Sequence, residues 1–109
     1  MKLYIAGPMT GYDNLNLPLF NKVEEELSKD YTIVNPARLA ESILCVSKDI
    51  PRETFLRLDI YHLLICDGIV LLPSWETSRG AVLEREIAKE LNLDIYIYKG
   101  NGVIEKEQQ

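Results

Sequence analysis

Four consecutive segments decide the fold: Ile69-Val70-Leu71-Leu72, Pro73-Ser74-Trp75-Glu76-Thr77, Ser78-Arg79-Gly80-Ala81-Val82-Leu83-Glu84-Arg85-Glu86-Ile87-Ala88-Lys89-Glu90-Leu91, and Ile95-Tyr96-Ile97-Tyr98. The first and last are short, unbroken apolar runs, the pattern of strands covered on both faces. The second has loop chemistry. In the third, Ser78 is placed to cap a helix over Arg79 to Leu91. A strand, a helix and a second buried strand in succession form a crossover unit of a parallel sheet.

The rest of the chain repeats that alternation. Leu3 to Ala6 reads as a buried strand stopped by Gly7-Pro8. Met9 to Pro18 is a loop, and Leu19 to Ser28 a helix with Leu19, Phe20, Val23 and Leu27 at helical spacing. Tyr31 to Val34 is a strand closed by Asn35-Pro36, followed by a short helix over Ala37 to Val46. A polar break at Ser47-Lys48-Asp49 precedes a longer helix opened by Pro51 and running to about Ile65. The expected architecture is a small doubly wound α/β domain, flavodoxin- or Rossmann-like. It has four to five parallel strands with helices on both faces over residues 1–98, and a polar, frayed tail over 99–109. Ligands of such folds sit outside the carboxyl ends of the strands. Here that edge comprises Gly7 to Gly11, Asn35-Pro36, Pro73 to Arg79 and the loop after Tyr98.

Composition narrows the function classes. The 109 residues suffice for one domain, and 47% hydrophobic with 27% charged residues is an ordinary globular mix. Seventeen acidic against twelve basic residues give a net charge of −5. That balance disfavours duplex nucleic acid, whose partners carry a basic face, and leaves a small metabolite as the expected partner. Cys45 and Cys66 read as reduced core thiols, His62 alone builds no metal site, and no cofactor is expected. The start is too short an apolar run for a signal peptide. The longest apolar stretch, Tyr61 to Leu72, is broken by Asp67 and Gly68, so no membrane span is expected. A soluble, cytoplasmic protein is the expectation.

Glu84 is the most informative residue. With successive residues 100° apart, Gly80, Ile87, Ala88 and Leu91 fall within about 60° of it, while Arg85, Glu86, Lys89 and Glu90 lie on the other side. A carboxylate in an apolar stripe is costly unless paired or used. It is either a structural carboxylate or a catalytic one. Asp59 repeats the pattern, with Phe55, Leu56, Leu63 and Cys66 on its side of the helix. Asp67, just before the third strand, is either a turn residue or a third member of the group. Converging carboxylates suit acid/base or nucleophilic work, and all three are expected to line one cleft near Gly7. Gly7-Pro8 and Ser78-Arg79-Gly80 are positioned to approach an anion. Trp75 and Tyr12 either stack on a base or anchor their loops. Glu24-Glu25-Glu26 reads as a solvated helix face, and His62 as a packed or partly exposed helix residue.

Tyr4-Ile5-Ala6-Gly7-Pro8, Asp59, Asp67 and Gly80-Ala81-Val82-Leu83-Glu84, in that order, resemble the nucleoside 2-deoxyribosyltransferase superfamily, which includes the deoxynucleoside-monophosphate N-glycosidases. The resemblance covers Lys2 to about Tyr98. Met9-Thr10-Gly11-Tyr12 and Trp75 to Ala81 are similar to a small branch common in phages and prophages. Pro73 to Glu84 is also similar, less closely, to an element of the cytokinin-activating phosphoribohydrolases. The superfamily resemblance implies Glu84 as the nucleophile at C1′, Asp59 and Asp67 contacting the sugar or protonating the departing base, and Tyr4 near the nucleophile. It further implies a substrate held by Gly7, Pro8, Met9, Tyr12, Trp75, Ser78, Arg79 and Gly80. The implied assembly is a homo-oligomer with sites near subunit interfaces. A non-catalytic binder of a nucleotide-derived ligand is the alternative.

Overall fold

The computed structural model describes residues 1–9, 11–44 and 49–107, with the side chains of 42–44 left aside. Strands β1 (Lys2–Ala6), β2 (Thr32–Val34), β3 (Gly68–Leu71), β4 (Asp94–Gly100) and β5 (Val103–Lys106) form one sheet in the order β2-β1-β3-β4-β5. All neighbours are parallel except β4 and β5. Helices α1 (Leu17–Leu27), α2 (Pro36–Leu44), α3 (Arg52–Leu64) and α4 (Arg79–Glu90) make the crossovers. The fold is the expected small Rossmann-like α/β domain with a mostly parallel sheet.

Strand alternation divides the core into two layers. Leu3, Ile5, Val70 and Leu72 pack with Phe20, Val23 and Leu27 of α1. Tyr4, Ala6, Ile69, Leu71 and Ile95 face the opposite way, against Leu63 of α3 and Ala81 and Ala88 of α4. Phe20, Val23 and Leu27 follow the i, i+3, i+7 rule of a helix buried on one side. Ser78 caps α4 as its hydroxyl chemistry dictates, its Oγ accepting from the Ala81 amide at 3.1 Å. Asn35, buried between β2 and α2, is satisfied on every side. Its Oδ1 accepts from the Ala37 amide, and its Nδ2 donates to Asn21 Oδ1 and Glu24 Oε1.

The segment beyond Lys99 departs from expectation. β4 runs on to Gly100, the chain turns through Gly100, Asn101 and Gly102, all at positive φ, and β5 returns antiparallel to β4. The frayed tail is therefore largely an edge strand. Glu26 locks the turn, its Oε1 accepting from Tyr98 Oη at 2.6 Å and the Gly102 amide at 2.9 Å. Glu24 and Glu26 are thus structural acceptors, while Glu25 is solvated. Cys66 is a buried free thiol and His62 is partly buried, its ring edge-on to Tyr61. Cys45, Val46 and Thr10 lie outside the described residues. No helix of the described residues is long and apolar enough to cross a membrane.

Gly68 permits the close approach of β1, β3 and β4. A Cβ there would lie 2.8 Å from the Asp94 carbonyl oxygen and 3.0 Å from Leu3 Cδ2. Gly68→Ala is expected to destabilise the domain by about 1–3 kcal/mol, read as a lower urea midpoint with an unchanged slope.

Candidate functional site

β1 and β3 are the strands at which the chain reverses direction across the sheet: β2 lies to one side of them, β4 and β5 to the other. Their carboxyl ends splay the connecting loops apart, the usual origin of a crevice in this architecture. A cavity of about 440 Å³ opens there. Its deepest groups come from β1 and α4. Tyr4 is fully buried, and its position on β1 aims the ring toward α4. Glu84 lies in the second turn of α4 with 5% of its surface exposed, and accepts a hydrogen bond from Tyr4 Oη to Oε2 at 2.5 Å.

Asp59 faces the same cavity from α3, which also contributes Arg52, Phe55 and Leu56. Positions 52, 55, 56 and 59 follow i, i+3, i+4, i+7, so one face of α3 forms a wall. Ser78 and Gly80 bring the amino end of α4 to the opposite wall. The bare Cα of Gly80 leaves this space open: a Cβ there would meet only Leu56 Cδ1 and Ser78 Oγ, at 4.0 Å each. Gly7 and Met9 border the cavity after β1. Leu15 reaches it from a turn, Asp13–Asn16, in which Asn14, Leu15 and Asn16 are all left-handed with φ of 51, 54 and 61°. Asn16 helps hold that turn, its Nδ2 donating to the Pro8 carbonyl at 2.9 Å.

Burial sets the electrostatics. Loss of hydration pushes the Glu84 carboxyl up to about 8; the Tyr4 hydrogen bond opposes this shift and the Asp59 charge adds to it. Asp59 is pushed up to about 7 by burial. The Tyr4 hydroxyl is raised by burial first, then by the charges of Glu84 and Asp59. The two carboxyls are coupled, so near neutral pH they hold between them about one proton more than two free carboxylates would.

The expected residues separate into two groups. Tyr4, Asp59, Glu84, Gly7, Met9, Ser78 and Gly80 all line the cavity. Asp67 does not join them. It immediately precedes β3, which places it at the amino edge of a parallel sheet, a strand length from Glu84. There its Oδ2 accepts from the Lys2 amide at 2.7 Å. Arg79 and Tyr12 are exposed and do not line the cavity. Pro8 is buried beside the lining. Trp75 packs under the Arg85 guanidinium, 5.4 Å from its ring centroid, and serves as a loop anchor. Phe55 and Leu56 line the cavity on the Asp59 side of the helix, where their spacing placed them, whereas Arg52, seven residues before Asp59 on the same face, was not singled out from the sequence.

The DUF4406 family profile, described as a domain of unknown function, matches residues 1–97. The chain belongs to this family. Every residue lining the cavity falls within the matched span of the DUF4406 domain, whereas β5 lies beyond it. No curated protein matches the chain. Among the described residues of this DUF4406 domain, no group of three or more His, Cys, Asp or Glu side chains is arranged to hold a metal ion.

The raised carboxyls make stability depend on pH with a definite sign. Between the unfolded values, near 4, and the folded values of about 7 and about 8, the folded chain binds more protons than the unfolded one. Stability is therefore full below pH 4 for these two groups and is lost as pH rises toward 8. Glu84→Gln should flatten that decline and melt higher than the parent at pH 8, by an amount on the order of a few kcal/mol. Melting curves at pH 5 and pH 8 give the comparison; an unchanged slope contradicts the assignment.

Proposed function

We propose that this chain cleaves or exchanges the N-glycosidic bond of a deoxynucleoside or its 5′-monophosphate, with Glu84 as the nucleophile. The observation that carries the reading is the buried Tyr4–Glu84 pair sharing one cavity with Asp59 at the sheet's switch point. A volume of about 440 Å³ suits a small metabolite, whose sites span about 300–1,000 Å³.

Loss of a nucleobase requires a carboxylate against the developing oxocarbenium ion and an acid for the leaving nitrogen. Two coupled carboxyls near pH 7 supply one of each once the substrate's cationic character shifts the shared proton from Glu84, the higher of the two, to Asp59. In the proposed first step, ionised Glu84 bonds to C1′ while the C1′–N bond breaks and Asp59 gives its proton to the departing base. Tyr4 Oη holds the Glu84 carboxylate by a hydrogen bond, and the cationic character of the sugar favours the ionised form. In the second step Asp59 takes a proton from water, or from an incoming base, as that nucleophile displaces Glu84 from C1′. Water gives hydrolysis; a base gives transfer. Arg52 is the cation that borders the cavity among its described lining residues. With Asp67 at the far edge of the sheet, the acid's role falls to Asp59 alone.

A second reading is supported by burial itself. Burial raises Glu84 to about 8 and leaves it largely neutral at pH 7, which suits a non-catalytic binder offering a carboxyl donor to a nucleotide-derived ligand.

Incubation with a panel of deoxynucleosides and deoxynucleotides, with and without an acceptor base, separates the two by chromatography of released base. The enzyme reading expects turnover, lost by a factor of about 1,000 or more in Glu84→Gln and by about 100 or more in Asp59→Asn. Full activity of Glu84→Gln would defeat the mechanism. Thermal stabilisation by a panel member without turnover in the parent chain would favour the binder.

If the pair acts as proposed, turnover peaks between pH 7 and 8, where one proton resides on the two carboxyls. Tyr4→Phe, which removes the donor to Glu84, should move the alkaline-side position of that profile upward. A pH-rate series on both chains reads the displacement, and identical profiles would remove Tyr4 from the mechanism.

A further inference from the structure

The segment after β5 is tied to one wall of the cavity through two side chains that do not line it. Glu107 stays on the sheet, its amide donating to the Ile95 carbonyl at 2.7 Å. Its Oε1 accepts from Nε and Nη2 of Arg85, at 3.2 and 2.6 Å. Both side chains of this pair are only 20% exposed, so water and salt screen it less than an ordinary surface pair. Arg85 Nη1 donates to Glu86 at 3.1 Å, so every guanidinium nitrogen has a carboxylate partner. A planar fork held at three nitrogens is fixed in orientation, and this one lies over the ring of Trp75. Trp75 in turn packs against the core layer of Tyr4 and Ala81.

Trp75 belongs to the turn that enters α4. Ser74, just before it, is left-handed with φ of 66°, a conformation that a residue other than glycine keeps only where its surroundings hold it. The Ser74 carbonyl accepts from the Thr77 amide and the Trp75 carbonyl from the Ser78 amide, each at 3.0 Å. Ser78 then caps α4 and borders the cavity. We propose that Arg85, braced by Glu107, is a positioning residue: it clamps Trp75 and thereby fixes the turn that sets the Ser78 wall of the cavity. Arg85 follows Glu84 directly, yet it acts through the turn and not through the Tyr4–Glu84 hydrogen bond. The brace therefore governs how a substrate is held and leaves the reacting pair as it is. Glu107 lies beyond the span 1–97 matched by the family, so the clamp draws on a segment outside the DUF4406 domain. Its effect on a substrate rests on the glycosidic reading; the clamping of the turn does not.

Trp75 is the sole tryptophan of the chain, so intrinsic fluorescence reports the clamp directly. Arg85→Met, and independently Glu107→Ala, should raise acrylamide quenching of Trp75. Both should speed hydrogen exchange at the Thr77, Ser78 and Ala81 amides, on the order of tenfold, while the amides of β1 exchange as in the parent. Glu86→Ala, which removes only the exposed partner of Arg85, should match the parent in both measurements. In the panel assay the two clamp variants should raise KM roughly tenfold and keep kcat within about twofold; for a binder, Kd takes the place of KM. Unchanged quenching and exchange in both variants overturn the proposal. So does exchange that speeds equally in the turn and in β1, or a loss of kcat at constant KM. A parent that neither turns over nor binds any panel member defeats the glycosidic reading alone, and quenching and exchange then decide the clamp by themselves.

Discussion

The carboxyl of Glu84 beneath the hydroxyl of Tyr4 is the constraint on which the molecule turns. A buried carboxyl costs free energy that an apolar side chain of the same size would not. It is tolerated because β1 delivers a hydroxyl to it at 2.5 Å. That delivery depends on strand register. Tyr4 pairs with Ile69 of β3, and a slip of one residue would turn Leu3 or Ile5 toward α4 and send the tyrosine into the α1 layer. The sheet, α4 and the cavity are therefore specified together.

The same pair gives the domain its asymmetry. Both core layers are apolar, but among the described residues only the one beneath α3 and α4 holds a buried carboxyl. Gly80 leaves the cavity open beside α4, the short side chain of Ala81 packs in the core layer with Tyr4, and Asp59 approaches from the neighbouring helix. Space, low polarity and two coupled acids coincide at one point of the fold, where strand order reverses. The glycosidic reading draws its support from that coincidence. Elsewhere the buried polar groups are fully satisfied, and among the described residues no buried side-chain nitrogen or oxygen lacks a hydrogen-bond partner.

Much of this was legible in the residues, for definite reasons. Helical phase places Glu84 and Asp59 inward because the 100° step per residue is insensitive to tertiary context. It gives no distance between helices, so convergence of the two acids needed the fold. Asp67 shows where position in the chain does not decide. Its place just before the third strand admits either a turn residue or a member of the group; the chain leaves α3 at the far end and enters β3 there, which carries Asp67 to the opposite edge. Trp75 and Tyr12 sit in loops, where periodicity carries no information. The antiparallel β5 was readable in principle: Asn101-Gly102 is a strong turn signal, obscured by the polar character of a strand exposed on one side. Glu26 was misjudged for a related reason, since its partners Tyr98 and Gly102 are distant in sequence.

That last strand has a further consequence. A parallel sheet ending at β4 would offer seven residues of unpaired backbone to any passing strand. β5 covers it and presents instead a short edge of four residues bearing Glu105 and Lys106, while the other margin, β2, is only three residues long. Neither margin is a good template for adding a strand. Both margins of the described sheet are thus short, which disfavours growth by edge-to-edge stacking.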